Sequence, residues 1–292
     1  MTINRRKFLL TSGMLASGAA LASIGCKSSA KSGSVSGKTS PFGIQLYTVR
    51  DELPKDPKGV IKSLASYGYN QVESYEGKQG MFWGMTNKEF KAYMDSLGMT
   101  IISSHCNINQ DFERKAAEAG EIGMKYLICP HLGAQKSMDN FKRFADQFNE
   151  SGEICRKNGL RFAYHNHGYS FKPLEDQFPQ DVLMQKTDAA LVDYEMDIYW
   201  LVTAGQDPEA WMKKYPNRFT LCHVKDRGKQ FTPTDENASV ELGTGSIDFP
   251  RILKTAQANG MKYHIVEQER YDNSTPMKSA EINAAYMKKL VV

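Results

Sequence analysis

The chain has 292 residues, 41% of them hydrophobic and 24% charged, with 37 Lys and Arg against 33 Asp and Glu. A formal net charge of +4 leaves no electrostatic footprint for nucleic acid. Five cysteines, widely spaced and without a CxxC pair, exclude a zinc ribbon or a disulfide scaffold and read as small apolar residues.

The first 26 residues predict an export signal. "NRRKFLLTSGMLASGAALASIGC" sets Arg5 and Arg6 before a weakly apolar run rich in Gly, Ala and Ser, the layout of a cleavable leader. The paired arginines fit the twin-arginine route, which a receptor reads as an address. The run is shorter than the roughly 20 apolar residues of a membrane span. Cys26, after "LASIG", resembles the acceptor cysteine of bacterial lipoproteins, with Ser23 where those signals usually carry Leu. Residues 27–40 are low in apolar side chains and read as a flexible tether. The expected product is exported and periplasmic, touching a membrane only through a lipid on Cys26. Removing residues 1–25 removes three basic residues and no acid, so the charge falls from +4 to +1.

From Pro41 onward, short β-branched and aromatic runs alternate with helical patterns. The predicted strands are "FGIQLYTV", "YNQVESY", "TIISSHCN", "YLICPH", "LRFAYHNH", "ALVDYEMDI", "FTLCHVKD" and "YHIVEQE". Between them lie patterns such as "PKGVIKSLASYG", "TNKEFKAYMDSLG" and "SMDNFKRFADQFNESGEICRKNG", apolar at three- and four-residue spacing. Thr86 and Ser137 stand at N-cap positions, the first with Glu89 three residues on. Gly68, Gly98, Gly123, Gly159 and Gly260 each close a helical pattern just before a strand, where a left-handed residue turns the chain back. Repeated helix–Gly–strand units predict a parallel sheet. Eight of them over residues 41–292 predict a single (β/α)8 barrel. No dinucleotide fingerprint follows the first strand, and the "GTG" at 243–245 follows a loop, which makes it a weak phosphate cradle.

In such a barrel the chemistry sits at the C-terminal ends of the strands. Those ends supply Glu73, His105, His131, His165 with His167, Glu195 with Asp197, His223 with Lys225, and Glu267 with Glu269. A barrel interior cannot hold isolated charges cheaply, so buried carboxylates there should be paired or bind a metal. Mixed imidazole and carboxylate suits Mn, Fe, Co or Zn. Residues two apart share a strand face, which aims His165 with His167, and Glu195 with Asp197, inward together.

On "YHNH", "MDIYW" followed by "AGQDP", "HVKD", "GTGSIDF" and "VEQE", the chain resembles the sugar phosphate isomerase/epimerase group of xylose-isomerase-like TIM barrels. That group includes ketose 3-epimerases, inosose dehydratase and, more distantly, metal-dependent apurinic endonucleases. The resemblance implies one divalent ion (Mn, Co, Fe, Mg or Zn) held by residues on strands five to eight. Carried onto this sequence, the ligands are Asp197, His223 and Glu267. His165, the expected fourth ligand, takes the place where the epimerases carry a glutamate, and inosose dehydratase is closer here, with its own His-x-His stretch. The resemblance further implies Glu267 as the base, Lys225 and His167 as proton-handling groups, and Trp200 stacking on a sugar ring. Glu73, His105, His131, His167, Asp226 and Arg227 complete the expected substrate contacts.

The expected function is therefore a metal-dependent isomerase, epimerase or lyase working through a metal-stabilised enediolate. Its substrate would be a non-phosphorylated sugar, keto-sugar or cyclitol, because sugar phosphates are cytoplasmic. With His165 replacing a second glutamate, proton transfer is expected on one face only. A catalytically inactive sugar-binding lipoprotein and an endonuclease-type metallohydrolase are the competing readings.

Overall fold

Strands form where the β-branched and aromatic runs predict them. The computed structural model describes residues 41–290, so the expected leader, Cys26 and the tether lie outside the described residues. The eight strands are Gly43–Gln45, Gln71–Tyr75, Thr100–His105, Tyr126–Cys129, Arg161–His165, Val192–Asp197, Phe219–Val224 and Tyr263–Val266. All pair in parallel with their sequence neighbours, and the first also pairs with the eighth, with Gly43 opposite Ile265. The sheet thus closes into a (β/α)8 barrel.

Helices fill the crossovers. Asn87–Ser96 starts with the expected capping box between Thr86 and Glu89, which satisfies two otherwise orphaned N–H groups. Met138–Lys157 begins after Ser137, whose side chain makes no cap bond. The five glycines that precede strands all have positive φ, from +67° to +107°. At Gly159 nothing lies within 4 Å of where a Cβ would sit, yet φ is +74°. Backbone conformation, not space, asks for glycine there.

The first strand is shorter than predicted. Leu46–Val49 turns into a 3-10 helix because the Gln45 side chain accepts a hydrogen bond from the Tyr47 N–H. Elsewhere the two-residue alternation of the strands orders the barrel interior in layers. Ile102, Tyr126, Ile128, Ala163 and Leu221 form an apolar cluster inside the barrel. His165 and His223 lie two residues beyond Ala163 and Leu221, one layer nearer the C-terminal mouth. Register places Asp197 opposite His223 and His165 opposite Glu195. The larger core packs helices onto the outside of the strands. Cys106, Cys129, Cys155 and Cys222 are buried and unpaired, as expected. No helix among the described residues is long and apolar enough to cross a membrane.

Candidate functional site

Four acceptor atoms converge at the C-terminal ends of strands five to eight. His165 Nε2 and His223 Nδ1 stand 3.2 Å apart, and His223 Nδ1 lies 3.2 Å from Glu267 Oε2. Asp197 Oδ2 is 3.5 Å from His165 Nε2 and 3.8 Å from His223 Nδ1. All four side chains are buried.

The surroundings fix which ring nitrogens face inward. His165 Nδ1 is 3.2 Å from the Pro130 carbonyl. A carbonyl only accepts, so Nδ1 carries the proton and Nε2 turns its lone pair to the centre. His223 Nε2 donates to Glu73 Oε1 at 2.8 Å, which leaves Nδ1 to the centre in the neutral ring. Asp197 spends Oδ1 on the Trp200 N–H, 3.1 Å away, as N-cap of the helix Ile198–Thr203. Its Oδ2 is buried with no hydrogen-bond partner. Asn166 locks the Asp197 backbone by a reciprocal pair of 3.2 Å bonds.

Four acceptors around one point repel unless a cation sits among them, and one proton cannot serve four. Donor atoms about 2.0–2.1 Å from a tetrahedral ion stand roughly 3.3 Å from one another. The observed spacings of 3.2 to 3.8 Å fit a small divalent ion, and two imidazoles with two carboxylates suit Zn, Mn, Fe or Co.

A second group of the same kind lies beside it: Glu73, His105, Glu195 and His223. Glu73 Oε1 accepts from Gln45 at 2.8 Å and from His223 at 2.8 Å, and lies 3.1 Å from His105 Nε2. Its Oε2 accepts from the Ser103 hydroxyl at 2.5 Å. His105 Nε2 also meets Glu195 Oε2 at 2.8 Å. His223 belongs to both groups, turning Nε2 to Glu73 and Nδ1 to Glu267, so this group can orient the ring while the other could hold an ion. Burial followed by the negative Glu73 pushes the Glu195 carboxyl up to about 7. Burial opposes the charged form of His105, but Glu73 and Glu195 outweigh it and raise the imidazole to about 9.

Lys225 borders the centre. Its ammonium donates to Glu267 Oε2 at 3.1 Å and makes a close ion pair with Glu269, and it lies 5.4 Å from the Trp200 ring centre. Burial works against the charge, yet Glu267 and Glu269 prevail and raise its pKa, so it stays an ammonium. Burial would raise the Glu267 carboxyl, but Lys225 and then His223 hold it well below its usual range. Burial, reinforced by neighbouring imidazoles, pushes His165 down to about 4 and His167 down to about 2. His167 is therefore neutral, and its Nδ1 is buried without a partner.

Above these groups opens a cavity of about 780 Å³ that His105, His131, His165, His167, Trp200 and Glu267 help to line. Three expected substrate contacts lie elsewhere. Glu73 is fully buried, spent on the bonds just described, and does not reach the cavity. Asp226 is buried and gives both oxygens to backbone N–H groups: Arg227 at 2.8 Å, Gly243 at 2.9 Å, Gly245 at 3.0 Å and Ile247 at 3.2 Å. The "GTG" amides thus cradle a carboxylate of the chain itself. Arg227 donates to the carbonyls of Thr232 and Asp235 at 2.5 and 3.0 Å. Both residues hold the loop between strands seven and eight. Sequence reasoning missed Gln45, Ser103 and Asn166, whose only signal was a polar side chain within or just after a strand.

The sequence matches the xylose isomerase-like TIM barrel family over residues 61–290. Inosose dehydratase of Clostridium botulinum is 26% identical over 269 residues, 85% of this chain and 85% of that protein. Inosose dehydratase of Clostridium beijerinckii is 27% identical over 179 residues, 52% of this chain and 59% of that relative's length. Among solved structures, a sugar phosphate isomerase/epimerase from Parabacteroides distasonis superposes with a TM-score of 0.74 at 28% identity, covering 87% of this chain and 96% of that one. With the closed barrel and the polar layer at its C-terminal mouth, this match over most of the chain has one meaning: the protein belongs to the xylose isomerase-like TIM barrel family.

Proposed function

We propose that this protein is a divalent-metal-dependent enzyme that removes a proton beside a carbonyl of a non-phosphorylated sugar, keto-sugar or cyclitol, leading to isomerisation or β-elimination. The observation that carries the proposal is the convergence of His165 Nε2, Asp197 Oδ2, His223 Nδ1 and Glu267 Oε2, two of which, His165 and Glu267, line the cavity. A divalent ion held there would polarise the substrate carbonyl and acidify the neighbouring C–H.

The chain's own groups divide the remaining work. Glu267 lines the cavity and accepts the proton. Lys225, charged and 3.1 Å from Glu267 Oε2, offsets negative charge developing on the substrate and can return a proton. His167 offers a hydroxyl the Nδ1 that has no protein partner. Trp200 presents its ring to the sugar. His165, where a second carboxylate would make a two-sided shuttle, supports proton transfer on one face. Inosose dehydratases among the relatives agree with elimination.

An uncharged substrate is supported by the cavity lining, which among the described residues contains no lysine or arginine, and by the pairing of the neighbouring Lys225 with Glu267 and Glu269; a phosphate would ask for a cation not already balanced by carboxylates. The same feature disfavours the endonuclease reading. The paired arginines and Cys26 support export and lipid anchoring.

NMR of free and 3-keto sugars with the metal-loaded protein in deuterated water tests the proposal. Exchange or elimination at one carbon is expected. A tightly bound metal without turnover of any member would leave the inactive sugar-binding reading standing instead.

A further inference from the structure

The metal centre occupies only one side of the cavity. Its four donors come from strands five to eight, and in a closed barrel strands one to four stand across the axis. On that far side the cavity is lined by Tyr47, Tyr75, Glu76, Asn107, Asn109 and Gln147, among others, none of which the chemistry above uses. At about 780 Å³ the space lies in the upper part of the roughly 300–1,000 Å³ typical of ligand pockets. One sugar ring over the centre leaves the far lobe unfilled.

That lobe is built and held. Lys115, on the helix Phe112–Glu121, is buried at 3% exposure and donates to Glu76 Oε2 at 2.7 Å and to the Asn107 carbonyl at 3.0 Å. The Asn107 N–H also donates to Glu76 Oε2 at 2.8 Å, so one oxygen of Glu76 fastens the loop after strand three. Asn107 Oδ1 then accepts from the Asn109 N–H at 2.9 Å, and Asn109 Oδ1 from Gln147 Nε2 at 2.6 Å. The chain of bonds fixes a row of side-chain amides, and hydroxyl groups pair with amides as both donors and acceptors. Its only ionic pair is internally balanced. Beside the row, Tyr47 meets Tyr75 edge-on with ring centres 5.1 Å apart and is 39% exposed, one of two large hydrophobic side chains so exposed among the described residues. The Arg50 guanidinium lies over this ring, 4.7 Å from its centre, and the part of the ring left exposed at the mouth of the pocket suits contact with the apolar face of a sugar.

We infer that the far lobe is a second carbohydrate subsite, and that the substrate is a two-ring, uncharged saccharide with one ring over the metal centre and the other against the amide row. The inference rests on the sugar reading above and narrows its substrate class.

The test is NMR titration of the metal-loaded full chain with glucose and with glucose disaccharides of every α and β linkage. At least one disaccharide should bind about tenfold or more tighter than glucose, the gain that a hydrogen bond or a ring stack supplies. Asn109→Ala removes part of the amide row. Gln110→Trp fills the lobe at a lining position without removing any of the bonds above. Each should bring the disaccharide to the affinity of glucose and leave glucose unchanged. Equal affinity for glucose and all disaccharides overturns the inference alone. Parallel loss of both ligands in the Gln110→Trp variant also overturns it. Failure of every sugar to bind overturns the inference together with the sugar reading.

Discussion

Replacing Glu73 with Gln tests whether the buried layer sets the affinity of the proposed metal centre. The amide keeps the shape of the carboxylate but loses its charge, and all four of its partners, His223, Gln45, His105 and Ser103, present N–H or O–H groups to it. Ser103 can turn its hydroxyl to accept from the new NH₂, so the amide oxygen takes the place of Oε1 and the fold survives. The bond from His223 Nε2, 2.8 Å in the wild type, then changes from charge-assisted to neutral. Bonds to charged groups contribute about 1.5–3 kcal/mol and neutral ones about 0.5–1.5, so His223 loses on the order of 1–2 kcal/mol of support as a donor. That corresponds to a roughly 5–30-fold fall in metal affinity, which overlaps the roughly 10–100-fold effect of removing a ligand's outer partner. Competition for Zn²⁺ or Co²⁺ against a chromophoric chelator reads this directly, with circular dichroism confirming the fold. A folded variant whose affinity stays within about threefold of wild type would refute the layered account.

Three further outcomes follow from the same geometry. Glu267→Gln keeps a carbonyl oxygen for the ion while removing the proton acceptor, so turnover should fall about 10²–10⁴-fold; metal analysis must show the ion retained, and undiminished turnover would exclude Glu267 as the base. Gly245→Ala should destabilise the protein by about 1–3 kcal/mol or more in urea unfolding, because its Cβ would lie 2.2 Å from Asp226 Oδ1 and 2.4 Å from the Arg227 carbonyl oxygen; an unshifted midpoint would return Asp226 to the list of free side chains. Changing Arg5 and Arg6 to Lys should retain the protein in the cytoplasm, as read by cell fractionation, and normal export would reject the twin-arginine route.

The barrel was legible because its signals are local. Gly159 ends a helix by its own backbone preference, and "RFAYH" follows at once as a strand. The ligand-type residues were legible for the same reason, standing at the C-terminal ends of strands five to eight. What lay beneath them was not. Glu73 meets His223, and gathers Gln45, Ser103 and His105 around itself, only because the first three strands close around to the others, and no spacing within one strand reports that. Asp226 was misread because its partners, Gly243, Gly245 and Ile247, arrive some twenty residues later on a loop. The far lobe escaped notice because Asn107, Asn109 and Lys115 sit past a strand end or on a helix, where polar residues are ordinary.

The central claim is that one divalent ion is held by a particular set of four atoms. Crystals grown with Co²⁺ or Zn²⁺ and measured on both sides of the metal's absorption edge locate that ion without assumption. The account predicts one anomalous peak per chain, bonded to His165 Nε2, Asp197 Oδ2, His223 Nδ1 and Glu267. No peak, or a peak held by Glu73, His105 and Glu195 with His165 and Glu267 uninvolved, would contradict it.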